Sequence, residues 1–188
     1  MGAKSSMNNT GAPGGMPGYF GRITGPLQIA LQFAIVSFLS FSIALAITSA
    51  LHGTGDSQTI GAMWAMISSI VVMQETRSAT LDTAWLRTLG SLIGAVISAV
   101  YLSFFPFSTI GMAVLVGITI LACQLFGIPG HARLAALTAG VVMVVSAVNP
   151  AVPPFINAGT RFFEVIIGSS VAVAVVWVWP HLMSPAET

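Results

Sequence analysis

Charged side chains are scarce in this chain of 188 residues: they make up 6% of the sequence, and the net charge is only +1. A water-soluble domain carries about a quarter charged residues. The sequence contains no basic run, which excludes a nucleic-acid-binding protein. The composition is 55% hydrophobic. It is therefore that of an integral membrane protein, and its first partner is the lipid bilayer.

Cysteines and catalytic motifs are also nearly absent. The single cysteine, Cys123, permits no intrachain disulfide and no cysteine-based metal site. The sequence has no nucleophile–base pair, no phosphate-binding loop and no HExxH motif. We therefore predict that the protein is not an enzyme and uses neither a cofactor nor a metal ion.

Apolar segments, separated by glycine and proline, fill most of the chain. A helix needs about 20 apolar residues to cross a bilayer. We predict an all-α membrane protein with six transmembrane helices over residues 27–180, of which the second and fifth are short. Residues 1–26, rich in Gly, Asn and Ser, and residues 181–188 are predicted to be cytoplasmic tails, the first of them disordered. The six segments are 27–51, 59–73, 86–105, 109–128, 133–148 and 160–179.

The basic residues orient these segments by the positive-inside rule. All of them except Arg161 fall on one side if both termini are cytoplasmic. We therefore predict a multi-pass protein of the cell inner (plasma) membrane with both termini in the cytoplasm.

The two halves of the chain align at an offset of 74 residues, which matches Arg87 with Arg161. Each half contains three segments, an odd number, so the second half enters the membrane from the opposite side. Inverted repeats of this kind recur in secondary transporters, and shortened segments in matching places point to a transport site. We predict an inverted 3+3 repeat of residues 27–105 and 109–180.

Arg87 and Arg161 are the first candidates for a substrate-binding site. Each is predicted at the end of its segment, seven residues before a glycine, and so on the small-residue face that packs against other helices. The inverted topology places Arg87 near the cytoplasmic mouth and Arg161 near the outer one. The planar fork of arginine suits carboxylates. The alternative, that both only anchor helix ends at the interface, stays open.

Three further charged residues complete the predicted substrate-binding set: Glu164, Arg77 and Arg133. Glu164 follows Arg161 by one helical turn. It is interpreted as a structural partner of Arg161, with a proton relay as the alternative. Arg77 lies in a predicted cytoplasmic loop, where a solvated charge cluster is the alternative account, and Arg133 begins the fifth segment.

Residues 62–95 contain a group of short motifs. These are WAMIS at 64–68, VVMQ at 71–74, Arg77, and RTLGSLIGA at 87–95. In this stretch the chain resembles the fusaric acid resistance protein-like (aromatic acid exporter) superfamily, in which a tryptophan-led second helix ends in a polar turn before an arginine seven residues ahead of a glycine. The second half of the chain contains a weaker form of the same sequence pattern.

This resemblance implies a six-helix transmembrane unit that exports aromatic or other organic acids, with Arg87 and Arg161 as the helix-start arginines and Arg77 in the polar turn. Plant aluminium-activated malate transporters look related; they form dimeric anion channels lined by basic residues. Many members carry a soluble domain and a second membrane half, and this sequence has neither. That departure implies either a homo-oligomer, in the first place a dimer, or one subunit of a larger efflux machine.

The function that these observations predict is export or channel-like conduction of small organic anions along a path lined by arginines at helix ends. The alternative is a non-transporting membrane scaffold or accessory subunit. The intramembrane charges favour transport, because a scaffold has little need of them.

Overall fold

The computed structural model describes residues 19–52 and 56–179. Over these ranges the regular secondary structure consists of six helices and no strand, which confirms the predicted all-α class. Of the two predicted tails, residues 1–18 and 181–188 lie outside the described residues, whereas residues 19–26, predicted to be disordered, form the start of a helix. The helices are α1 (Tyr19–His52), α2 (Asp56–Val72), α3 (Arg77–Phe104), α4 (Thr109–Leu125), α5 (Pro129–Val148) and α6 (Pro154–Val178).

Four of these helices are long and apolar enough to cross a membrane: α1 over Pro26–Ala50, α3, α5 and α6. The two others, α2 and α4, have 17 residues each. A helix of that length rises about 25 Å, a little less than the hydrocarbon core of about 30 Å. This pattern is that of a multi-pass membrane protein.

The prediction that the fifth segment is short was wrong. Helix α5 has 20 residues because it begins at Pro129 rather than at residue 133. Proline is favoured in the first turn, where its fixed φ suits the helix and its missing N–H costs nothing. The short helices are α2 and α4, which do not occupy matching places in the two halves. The pairing of short segments therefore no longer points to a transport site.

The predicted starts of the third and sixth segments were also wrong, with a larger consequence. Helix α3 begins at Arg77 rather than at residue 86, because the side chain of Thr76 caps it by accepting a hydrogen bond from the backbone N–H of Ala79. Helix α6 begins at Pro154 rather than at residue 160. The two arginines predicted at helix ends therefore lie about two to three turns inside their helices.

Helices α3 and α6 form the centre of the bundle and run antiparallel. One buried cluster joins Ala84, near the start of α3, to Val176, near the end of α6. A second cluster joins Ala99, near the end of α3, to Ala158, near the start of α6. Helix α3 also packs on α5, and α6 packs on α2. Helices α1 and α4 lie outside, where α1 packs on α2 and α4 packs on α5.

Two glycines set the closest helix contacts. A Cβ atom added at Gly94 of α3 would collide with the carbonyl oxygen of Ala135 on α5. A Cβ atom at Gly168 of α6 would collide with the carbonyl oxygen of Ala65 on α2. In lipid, where no hydrophobic force drives helices together, such small residues let backbones approach and gain packing energy. The glycines that follow the two arginines thus fix the spacing of the four inner helices.

We predict that Gly94→Ala destabilises the protein, because the methyl group must push α3 and α5 apart at a cost of about 1–3 kcal/mol. Gly117→Ala on α4 is the matched control, since a Cβ atom there has no neighbour within 4 Å and alanine raises helix propensity by roughly 1 kcal/mol. Unfolding by SDS titration measures both changes. Equal stability of the two variants would contradict the close-contact role of Gly94.

Candidate functional site

A small cavity lies at the centre of the bundle, between α2, α3, α5 and α6. The space open to the centre of a water molecule is about 10 Å³, close to the minimum that holds one water. Both candidate arginines face this cavity. Its lining residues are Trp64, Arg87, Leu137, Thr138, Val141, Arg161 and Val165.

The expected placement of the two arginines at opposite mouths of the bundle was therefore wrong. Arg87 and Arg161 extend from antiparallel helices, and both line the same small cavity. Only 1% of Arg87 and 4% of Arg161 is exposed. Neither guanidinium therefore anchors a helix end at the membrane surface.

Arg87 has little to neutralise its charge. Its Nη2 donates a hydrogen bond of 3.2 Å to the Oγ of Ser68 on α2. Its Nε and Nη1 are buried and have no hydrogen-bond partner within residues 19–52 and 56–179. No carboxylate in this part of the chain lies within ion-pair distance of it. Arg87 is thus a buried cation with two donors available to a ligand.

Arg161 is paired within its own helix. Its Nη1 lies 2.9 Å from the Oε2 of Glu164, one turn later. The N–H groups are not directed at the carboxylate well enough to count as hydrogen bonds, so the contact is chiefly electrostatic. Glu164 is only 2% exposed. This contact agrees with the interpretation of Glu164 as the partner of Arg161.

The buried charges near the cavity do not cancel. Two guanidinium groups and one carboxylate leave one positive charge in excess among the described core residues. Placing an arginine at mid-bilayer costs about 2.5–3.5 kcal/mol on insertion scales. A carboxylate bound here would offset that cost and accept a hydrogen bond from an unpaired donor of Arg87. The arrangement is suited chemically to an organic anion.

Sequence reasoning missed the residue that makes room for the ion pair, Gly61 on α2. A Cβ atom there would collide with the Oε1 of Glu164. At the offset of 74 residues, Glu164 corresponds to Gly90 and Gly61 to Ala135. In the first half it is Gly90 of α3 that lets α5 approach, at the backbone N of Ala135. In the contact between α3 and α5 the glycine, Gly90, lies on α3, whereas in the contact between α2 and α6 the glycine, Gly61, lies on α2. This difference between the two halves could have been found in the sequence.

Two further polar contacts near the cavity were also missed. Thr138 of α5 donates a hydrogen bond of 3.1 Å to Ser91 of α3. The side-chain amide of Asn157 on α6 donates to the carbonyl oxygen of Val142, at 3.1 Å, and to the Oγ of Ser146, at 2.6 Å. These bonds hold α5 against both central helices.

The other two predicted site residues lie away from the cavity. Arg77 is exposed at the start of α3, where its guanidinium lies 5.5 Å from the centre of the Trp177 ring. Its Nη2 also donates to the carbonyl oxygen of Trp177 at 3.5 Å. Arg133 is exposed on α5. The structure thus brings Arg87, Arg161 and Glu164 together and leaves Arg77 and Arg133 apart.

Comparison with known proteins gives one family. The model of the fusaric acid resistance protein-like family matches residues 42–175, which extend from the last part of α1 into α6 and include both buried arginines. Neither the curated proteins nor the solved structures compared with the chain gave a match.

We predict an energetic coupling between Gly61 and Glu164. Gly61→Ala alone destabilises the protein, because the added methyl group displaces the carboxylate from its place beside Arg161. In a Glu164→Ala background the same substitution has little effect, since the obstructing carboxylate is gone. A double-mutant cycle by SDS unfolding tests this, with an expected coupling of about 1–3 kcal/mol. Additive effects would mean that Gly61 is not there to accommodate Glu164.

Proposed function

The chain belongs to the fusaric acid resistance protein-like family, and on that basis we propose that it moves organic anions across the membrane. Membership of the family indicates a role in membrane transport or efflux. The finer proposal is export or channel-like conduction of small organic anions such as aromatic carboxylates. It is carried by one observation: Arg87 and Arg161 line one small cavity, and Glu164 is the one buried carboxylate among residues 19–52 and 56–179.

We further propose that the bundle is an inverted 3+3 repeat with the cavity on its pseudo-twofold axis. Two observations support this arrangement. The two arginines align at an offset of 74 residues. The same offset aligns the last residue of α3, Phe104, with the last residue of α6, Val178. In addition, α3 and α6 pack antiparallel, as equivalent helices of inverted copies must. The proposed orientation keeps both termini cytoplasmic in the inner membrane.

The two arginines have different roles in this proposal. Arg87 receives the carboxylate first, because within the described part of the chain its guanidinium donates a hydrogen bond only to Ser68. Arg161 becomes available when the incoming anion competes with Glu164. A cavity with space for about one water is too small for an aromatic acid. Passage therefore requires the inner helices to separate, toward one side at a time in a transporter or along a continuous path in a channel.

The proposed working unit is a homo-oligomer, in the first place a dimer. A second candidate function is a non-transporting scaffold or accessory subunit of an efflux assembly. The narrowness of the cavity favours this alternative, since the described helices leave no open path for an anion. Absence of flux together with co-purification of a partner in fixed stoichiometry would support it.

We predict that Arg87→Ala and Arg161→Ala each reduce anion flux at least about tenfold, because a hydrogen bond to a charged group contributes about 1.5–3 kcal/mol. The measurement is uptake of labelled benzoate into proteoliposomes that contain the purified protein. Arg133→Ala, which removes an exposed arginine of α5, is the control and keeps the wild-type rate.

Arg87→Lys refines the same experiment, because lysine keeps the charge and loses the planar fork. We expect an intermediate flux. A folded Arg87→Ala, Arg161→Ala double variant that transports benzoate at the wild-type rate would show that the arginines do not bind the substrate.

A further inference from the structure

An apolar groove opens on the outside of the bundle between α2, α4 and α5. Its volume is about 610 Å³, within the range of about 300–1,000 Å³ that small-molecule sites occupy. The residues that line it are apolar, and several of them are exposed on the outer surface of the bundle. Among these are Met63, Leu137 and Val144.

The groove is separated from the arginine cavity by a wall one side chain thick. Trp64 of α2, with Leu137 and Val141 of α5, lines both spaces. Arg87 and Arg161 line the cavity on the inner side of this wall. An apolar molecule in the groove therefore has two cationic groups directly behind the side chains that it touches.

The groove depends on the absence of a side chain at Gly140 of α5. A Cβ atom there would meet only the Cγ2 of Val116 on α4, at 3.9 Å, which is ordinary contact. Helix packing therefore does not demand glycine at this position, in contrast to Gly94. At the offset of 74 residues, Gly140 corresponds to Met66 of the first half, a long side chain.

We propose that the groove binds the apolar body of an amphipathic monocarboxylate that enters from the bilayer, and that Trp64 is the wall that must move for the carboxylate to reach Arg87 and Arg161. The proposal rests on the anion transport proposed above. Charge complementarity selects this occupant: a lipid tail gains nothing from cations behind the wall, whereas a carboxylate is the group that the unpaired donors of Arg87 lack. The apolar groove and the cationic cavity together match the two ends of one molecule.

The test measures binding of 2-naphthoate to the protein in nanodiscs by titration calorimetry, with 2-naphthamide as the uncharged analogue. We expect Gly140→Met to weaken 2-naphthoate binding by about tenfold or more, because the methionine fills the groove. Gly117→Met is the matched control: Gly117 is exposed on α4 and does not line the groove. Val144→Trp, at a groove position that is 45% exposed, blocks the same space if Gly140→Met does not fold.

Flux of formate, an anion without an apolar body, is measured in the same variants. We expect it to persist in Gly140→Met and to fall in Arg87→Ala. If both groove variants bind 2-naphthoate as tightly as the wild type, and the wild type transports anions, the groove is not the binding site. The transport proposal is then unaffected. Equal binding of 2-naphthamide and 2-naphthoate would also overturn the groove proposal, because the groove would then hold lipid-like molecules without using the arginines. A wild-type protein that moves no anion would remove the transport proposal itself.

Discussion

Two guanidinium groups are buried in a membrane bundle whose described core supplies one carboxylate. In water an unpaired arginine is hydrated at no cost, whereas inside a bilayer its charge must be met by the protein or by a ligand. Glu164 meets the charge of Arg161, and Ser68 only partly satisfies Arg87. This excess positive charge is the constraint on which the account of function depends. In the proposed function, an anion bound at the centre of the bundle offsets this charge.

Glycine has several distinct roles in the described helices. Gly94 and Gly168 bring the inner helices into backbone contact, which closes the core around the cavity. Gly61 makes room for the carboxylate that pairs with Arg161. Gly140 serves a different purpose, because its helix would accept a side chain there. Close packing and the apolar groove therefore arise from the same small residue in different surroundings.

The six helical segments and the pairing of Arg161 with Glu164 could be predicted from the sequence, because they depend on local pattern and spacing. The helix starts could not, since the polar first turn of α3 resembles a loop until its cap at Thr76 is seen, and α6 begins at Pro154 without a side-chain cap. The burial of the two arginines could not be predicted either, because it depends on how the helices cross. The sequence made Arg161 the more informative arginine. In the structure Arg87 is the more informative of the two, because Arg161 already has a partner.

We propose that both arginines bind the same anion in one cavity. The most direct measurement is a structure of the protein with 4-bromobenzoate, in which anomalous scattering locates the bromine independently of the carboxylate. We expect the carboxylate to lie within hydrogen-bond distance of the guanidinium groups of Arg87 and Arg161. A ligand bound elsewhere, with both arginines and Ser68 in their present contacts, would contradict it.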